Sequence, residues 1–173
     1  GARVTEQGGW ALDTPVSGGC HRAATGNISI FAGGPRAAFE RALPVLSALG
    51  RRILHTGELG SASSIKVVTN YLASVHLAAL GEALTAAKQA GLDMATAYEA
   101  IRISSGNSFV HETETQVILN GSYNINFTMD LVMKDVGLFQ SMAEAGGVPT
   151  QIAPLVLDIF EDGQARYGGR AWS

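Results

Sequence analysis

Two polar residues stand one helical turn apart at the start of a long apolar stretch. Lys66 and Asn70 precede residues 71–90, which are mostly alanine and leucine. Residues four positions apart share one face of a helix, so both side chains would meet the same partner. Withdrawal from water makes a lysine usable as a proton donor or acceptor, and a neighbouring amide can hold an oxygen in place. The spacing indicates either a proton-transfer site or a lysine that extends from a helix start into water.

Two other stretches carry residue types suited to binding. In PVSGG, Ser17 is followed by Gly18 and Gly19, and two glycines leave backbone N–H groups open to a carboxylate. A tight turn explains the same three residues. In MKDVGL, Lys134 and Asp135 interrupt an apolar helical pattern. An exposed ion pair, which contributes under ~1 kcal/mol, is the ordinary explanation of such neighbours.

The composition argues against several classes of function. Of 173 residues, 46% are hydrophobic and 16% are charged, which is typical of a compact folded protein. The net charge of −3, without a run of lysine or arginine, argues against binding to nucleic acid or to an anionic membrane surface. The four histidines and the single Cys20 are too scattered for a metal site. A lone thiol also excludes an internal disulfide and fits a cytoplasmic protein.

The most apolar window, residues 71–87, is expected to form a buried helix. It contains His76 and Glu82 and so falls short of the ~18 to 20 uninterrupted apolar residues that a membrane span needs. No basic segment followed by a hydrophobic block, the pattern of a signal peptide, is visible at the front of the chain. We therefore expect no membrane partner.

The first 57 residues predict a short α/β segment. Short apolar runs bounded by glycine predict strands over residues 10–17, 27–34 and 51–57. Between the second and third strands, Pro35 suits the first turn of a helix that Gly50 ends. This strand-helix-strand order is similar to the last part of an α/β sheet, with too few elements to bury both sheet faces.

Beyond residue 58 the sequence predicts only helices, so the fold class is mainly α. The first runs from about residue 61, with Ser61 or Ser63 as its cap, to Ala90. A second follows the possible cap Asp93 and ends near Ser104. Three more are predicted over residues 109–119, 127–145 and 150–167.

Taken in order, five stretches of the sequence resemble one family. DTPVSGG, GNISIFAGG, GELGSASSIKVVTN, ISSGNSF and FTMDLVMKDVGL are similar to motifs of the β-hydroxyacid dehydrogenases, the 3-hydroxyisobutyrate dehydrogenase group. The resemblance implies a Rossmann domain that binds NAD or NADP, followed by an all-helical domain of the 6-phosphogluconate-dehydrogenase-like type that a long helix leads. Residues 1–57 would then be the remnant of the dinucleotide-binding domain, and residues 58–173 the substrate and oligomerisation domain.

The resemblance also implies roles for particular residues. Lys66 would be the general acid or base in hydride transfer between NAD(P) and a short 3-hydroxy acid or its semialdehyde, and Asn70 would orient the substrate oxygen. Six residues would bind the substrate: Ser17, Gly18, Gly19, Phe109, Phe127 and Asp135. Lys134 would lie nearer the cofactor.

The resemblance further implies that the chain, which begins without methionine, is the C-terminal portion of its parent. The 173 residues contain no G-x-G-x-x-G loop, so we expect them alone to bind no cofactor tightly and to turn over negligibly.

An alternative function is a catalytically silent helical dimerisation module. The long apolar helix and the stretch PTQIAPLVLDIF carry more apolar surface than a small domain readily covers. Both hypotheses predict a homo-oligomer formed through the helical domain, so the two are compatible.

Overall fold

The computed structural model describes all 173 residues. Their contacts divide the chain into two compact units, Gly1–Thr69 and Asn70–Ser173. The elements in chain order are α1 (Ala2–Glu6), β1 (Val16–Ser17), α2 (Gly19–Ala24), β2 (Ser29–Gly33), α3 (Arg36–Leu49), β3 (Arg52–Gly57), α4 (Ser61–Gln89), α5 (Met94–Arg102), α6 (Phe109–Leu119), α7 (Met129–Ala145) and α8 (Ile152–Tyr167). The predicted fold class, a short α/β part followed by helices alone, is confirmed.

The first unit contains a three-stranded sheet in the order β1-β2-β3. Strand β2 pairs antiparallel to β1 and parallel to β3. Helix α3 is the crossover between the two parallel strands, as parallel pairing requires. Its Phe39 and Leu46 pack against Ile28, Ile30 and Ala32 of the sheet region, and all five are buried.

The segment before the sheet differs from the prediction over residues 10–17. Only Val16 and Ser17 form a strand, while Asp13 makes an isolated bridge to Gly33. Pro15, which has no N–H to donate, interrupts the pairing between them. Gly18 and Gly19 do not simply end the strand, because they begin the six-residue helix α2. That helix lacks an apolar period, so no local pattern predicted it.

Helix α4 receives its N-terminal cap from a distant residue. The carboxylate of Asp13 accepts the N–H of Gly60 on Oδ1 at 2.7 Å, and on Oδ2 the N–H and hydroxyl of Ser63 at 2.7 and 2.8 Å. The first N–H groups of a helix lack partners within it and favour a negative charge. Ser61 pairs instead with the Thr56 hydroxyl at 2.7 Å. The prediction that Ser61 or Ser63 caps this helix is therefore wrong.

The second unit is built around α4, α7 and α8. Its main core consists of five buried side chains: Met129, Val132, Val136, Val156 and Phe160. Residues of α4 pack against this cluster, among them Tyr71 and Val75. A second cluster of Leu80, Leu84 and Val110 joins α4 to α6.

Helix α4 is less buried than predicted. The structure buries only 17% of its most apolar 18-residue window, which has a mean hydropathy of 1.2. By length and composition alone α4 could cross a membrane, although the core helix of a folded domain passes the same test. The expectation of a buried helix is wrong because α7 and α8 cover one side of α4, leaving residues such as Leu72 45% exposed.

The end of the chain completes the start of α7. Thr128 precedes this helix without forming a side-chain cap. The N–H groups of Met129 and Asp130 instead donate to the carbonyl oxygens of Ala171 and Gly169, each at 3.0 Å. Backbone groups from the last five residues thus satisfy donors that a capping side chain usually serves.

Candidate functional site

A hydrogen bond joins two predicted site residues that lie far apart in the sequence. Asn70 on α4 donates from Nδ2 to Oδ2 of Asp135 on α7 at 2.6 Å. The other carboxylate oxygen, Oδ1, lies 2.8 Å from Nζ of Lys134. Each oxygen of the Asp135 carboxylate therefore has a donor.

The Asp135 carboxylate is buried, whereas Lys134 extends into water. Their side chains are 9% and 58% exposed. The interpretation of these neighbours as a pair exposed on the helix surface is therefore wrong for Asp135. A signal was present in the sequence, since Asp135 lies at helical spacing between Val132 and Phe139 on the apolar side of α7. A buried carboxylate is costly unless it is paired and hydrogen-bonded, as this one is.

An aromatic pair that the sequence analysis did not identify lies beside this bond. Tyr71, which follows Asn70, stacks on Phe139, one helical turn after Asp135. Their ring centroids are 3.7 Å apart and the planes differ by 2°. The buried Ser74 donates its hydroxyl to the backbone carbonyl of Asn70 at 3.1 Å. The stack holds α4 and α7 together at the level of the Asn70–Asp135 bond.

Lys66 lies one turn before Asn70 on α4 and is half-buried. Helix periodicity puts the two residues on one side of α4. The Thr69 hydroxyl donates to the Lys66 carbonyl at 3.0 Å, a bond within the helix.

The turn of α4 that carries Lys66 follows directly on the Asp13 cap. Burial raises the pKa of Asp13, but hydrogen bonds from Gly60 and Ser63 outweigh it and hold that pKa below its ordinary value of 3.8. The carboxylate is therefore ionised over the neutral range and complements the helix dipole. This cap holds the first turn of the helix, which begins at Ser61, five residues before Lys66.

The predicted carboxylate-binding residues lie where β1 ends and α2 begins. Gly18 and Gly19 have φ values of 126° and 69°, a region that favours glycine. A Cβ on Gly19 would meet no atom within 4 Å, so its backbone is accessible. Ser17 is the last residue of β1.

The two phenylalanines occupy different surroundings. Phe127 is half-buried and packs against the core of the second unit. Phe109 is the first residue of α6 and is 48% exposed. Among the predicted residues, the structure joins Asn70, Lys134 and Asp135 by direct contacts.

The least exposed polar group in the second unit besides Thr115 is His111, at 1%. Its Nε2 donates to the carbonyl of Tyr98 at 3.0 Å, which leaves Nδ1 to accept from the Thr115 hydroxyl at 3.0 Å in the neutral imidazole. The Nε2 bond thus joins α6 to α5, and the Nδ1 bond lies within α6. No group of three or more His, Cys, Asp or Glu side chains is placed to hold a metal ion.

Two family models together match almost the whole chain. Residues 60–172 match the model described as NAD-binding of NADP-dependent 3-hydroxyisobutyrate dehydrogenase. Residues 1–57 match the NAD binding domain of 6-phosphogluconate dehydrogenase.

Individual relatives agree with these matches. The chain is 38% identical over 168 residues to 2-(hydroxymethyl)glutarate dehydrogenase of Eubacterium barkeri, covering 96% of the chain and 56% of the relative. It is 36% identical over 159 residues to L-threonate dehydrogenase of Escherichia coli strain K12, covering 91% and 53%. A crystal structure of 3-hydroxyisobutyrate dehydrogenase from Salmonella typhimurium superposes with a TM-score of 0.86 at 33% identity, covering 98% of the chain and 60% of that protein. The chain thus spans about half the length of these curated relatives.

Proposed function

Because the chain belongs to the 3-hydroxyisobutyrate dehydrogenase family, we propose that its protein transfers a hydride between NAD(P) and a short 3-hydroxy acid or the matching semialdehyde. The observation that carries this proposal is the hydrogen bond from Asn70 to the buried Asp135, one helical turn after Lys66. A polar group held in this way beside a lysine suits a site where a proton moves.

Lys66 is the proton acceptor during oxidation. The O–H bond of the substrate breaks, its proton passes to the neutral Nζ of Lys66, and its electron pair forms the C=O bond. NAD(P), when bound, supplies the acceptor for the hydride that leaves the same carbon. In the reverse direction the Lys66 ammonium donates its proton to the aldehyde oxygen. A positioned acid or base of this kind contributes about 10²- to 10⁴-fold to the rate.

Ser17, Gly18 and Gly19 hold the substrate carboxylate in this proposal. The positive φ of both glycines and the open space beside Gly19 support it, because backbone N–H groups there are accessible to an anion. Phe109 and Phe127 would contact the apolar part of the substrate. Their support is the family resemblance together with the partial exposure of both rings.

Lys134 carries the positive charge that we propose contacts the dinucleotide. Its side chain is 58% exposed, its ammonium is paired with one oxygen of Asp135, and a dinucleotide is an anion. Asp135, which Lys134 and Asn70 both contact, is acceptor-only when ionised and would repel the cofactor phosphates. Lys134 therefore faces the cofactor and Asp135 the interior.

The names of the relatives support a proposal for the class of substrate. Their names specify 2-(hydroxymethyl)glutarate, L-threonate and 3-hydroxyisobutyrate, all of which are carboxylates with an alcohol group. The proposed site has one part for each group, the glycines for the carboxylate and Lys66 for the alcohol. A short hydroxy acid is therefore the substrate class that we propose.

The test uses the protein expressed from the full reading frame that encodes this chain. NAD(P)H formation is measured across a panel of short hydroxy acids that includes the three named above. We expect turnover with at least one of them, and no oxidation of any would overturn the proposed activity.

Lys66→Ala tests the proton-transfer role in the same assay. We expect kcat/KM to fall about 10²- to 10⁴-fold. Lys88→Ala is the matched control, because Lys88 lies in the last turn of the same helix, is exposed, and should leave the rate unchanged. Full activity of Lys66→Ala would remove Lys66 from the mechanism.

We also propose that the protein is a homo-oligomer formed through its helical part. On α8, Ile152, Leu155 and Ile159 are 51%, 62% and 47% exposed, whereas Val156 and Phe160 of the same helix are buried. Covering such aliphatic side chains removes apolar surface from water. We propose that a second copy of the chain covers these side chains, because both hypotheses from the sequence predict a homo-oligomer.

Light scattering during size-exclusion chromatography tests the assembly. We expect a mass of two or more chains for the wild type and a smaller mass for Leu155→Glu. Leu49→Glu, on α3, is the matched control, because Leu49 is 60% exposed and lies outside the proposed interface. A monomeric wild type would refute the oligomer, and an oligomer without turnover would favour the silent helical module.

A further inference from the structure

The hydrogen bond from Asn70 to Asp135 bears on which end of the Asn70 amide serves the site. We propose that Asp135 is a positioning residue that fixes the Asn70 side chain with its nitrogen toward α7, so that Asn70 presents its oxygen Oδ1 as a hydrogen-bond acceptor to the reacting groups. This inference rests on the proposed dehydrogenase function. Under this proposal Asp135 holds Asn70 and acts on the substrate only through Asn70.

The orientation follows from what each group can donate. An ionised carboxylate only accepts hydrogen bonds, whereas an amide donates from nitrogen and accepts on oxygen. At the observed 2.6 Å, a rotated Asn70 amide would put its oxygen against Oδ2 of Asp135 with no proton between them. Lys134 occupies the other carboxylate oxygen and balances the charge. The amide is thus held in one of its two orientations.

The packing around the pair keeps this orientation fixed. Asp135 is 7% exposed and is followed by Val136, which is fully buried. The stacked rings of Tyr71 and Phe139 join the two helices within one turn of the bond. Neither helix can therefore turn away from the other at this level without breaking the stack.

An amide oxygen that faces the site requires a donor as its partner. On α4 the Lys66 ammonium lies one turn earlier, and a substrate hydroxyl is the other donor that the reaction offers. An aldehyde oxygen has no proton to give, so Asn70 Oδ1 does not hold it. The aldehyde is then held by Lys66, and Asn70 acts on Lys66 or on the alcohol form of the substrate.

An exchange of the two residues tests this assignment. In the double variant Asn70→Asp/Asp135→Asn, a carboxylate oxygen at position 70 accepts from the new amide and the other still faces the site as an acceptor. We expect kcat/KM to fall about tenfold in Asp135→Asn and about 100-fold in Asn70→Asp, which brings two carboxylates together. The kcat/KM of the double variant should exceed that of either single variant and lie within about tenfold of the wild-type value.

The pH profile separates this role from a purely structural one. The exchange moves a negative charge onto α4 near Lys66, so the rise of kcat with pH should shift to higher pH. Asn120→Asp is the matched control, since Asn120 is exposed and uses only its oxygen, which accepts the N–H of Ser122. It should change neither kcat nor the profile.

Two results would overturn the inference. If Asn70 instead donates an N–H to the substrate, the exchanged protein has no donor at position 70 and will be no more active than Asn70→Asp. The change in thermal stability is measured for each single variant and for the double variant. If the change in the double variant equals the sum of the two single changes, the residues are not coupled and Asp135 does not hold Asn70. Stability is measured without substrate. If the wild type oxidises no hydroxy acid, the proposed function fails, and with it the role of Asn70 in the reaction. The stability measurement still tests whether Asp135 holds Asn70.

Discussion

Removing the Asp13 carboxylate should loosen the start of the helix that carries Lys66 and Asn70. Asp13→Ala deletes the acceptor of two backbone N–H groups and one hydroxyl, all at 2.7 to 2.8 Å. Loss of a capping side chain costs about 0.5 to 2 kcal/mol, and three bonds to one ionised group favour the upper end, about 2 kcal/mol. For a chain of this size that corresponds to a fall in Tm of about 4 to 8 °C.

The effect should depend on pH in one direction. The folded-state pKa of Asp13 lies below its ordinary value of 3.8, because the bonds from Gly60 and Ser63 outweigh the effect of burial. A lowered folded pKa gives stability that is fully present above 3.8 and is lost as pH falls through the lower, folded value. The difference between wild type and Asp13→Ala should therefore be constant near neutral pH and shrink in acid.

Urea denaturation followed by circular dichroism at several pH values measures both effects. Asp13→Asn keeps one acceptor oxygen and should lose about half as much as Asp13→Ala. Asp158→Ala is the control, because Asp158 is an exposed acid on α8 and such changes stay within about 0.5 kcal/mol. An Asp13→Ala protein as stable as this control at neutral pH, or a difference that does not shrink in acid, would refute the role of the cap.

Further expected outcomes follow from burial and close contacts. Gly33→Ala should destabilise the protein at least as much as Asp13→Ala, since a Cβ there would collide with the Asp13 carboxylate, and thermal unfolding checks it. Val136→Ala, at a fully buried position, should cost about 2 kcal/mol in urea denaturation. His111→Phe should cost a similar amount, because it leaves the buried Thr115 hydroxyl without its partner. The 173-residue chain alone should bind NAD and NADP only weakly in a fluorescence titration, and submicromolar binding would contradict this.

The sequence predicted the elements that local signals specify. Helix α6 spans the predicted residues 109–119, and the Ser108 side chain caps it by accepting the His111 N–H at 3.0 Å. The Asp93 cap of α5 is also present, accepting the N–H of Thr96 at 2.8 Å. In both cases the donor and the acceptor are three residues apart, so a short window contains the whole interaction.

The contacts that build the candidate site join residues that no short window contains. Asp13 and Ser63 are 50 positions apart, and Asn70 and Asp135 are 65 apart. A local pattern gives the type of each residue and its face of the helix, but the partner depends on how the elements pack. Lys66 and Asn70 could be chosen from their spacing, whereas the burial of Asp135 and its bond to Asn70 required the packed helices.

The contribution of the last residues to α7 bears on the order in which the protein assembles during synthesis. The N–H groups of Met129 and Asp130 find their acceptors in Ala171 and Gly169, about 40 residues later in the chain. The first turn of α7 therefore lacks these two acceptors until the ribosome has released that segment. Asp135 is carried by the same helix, so the helix that holds the Asn70–Asp135 pair is completed at its start only after residues 169–171 have been made.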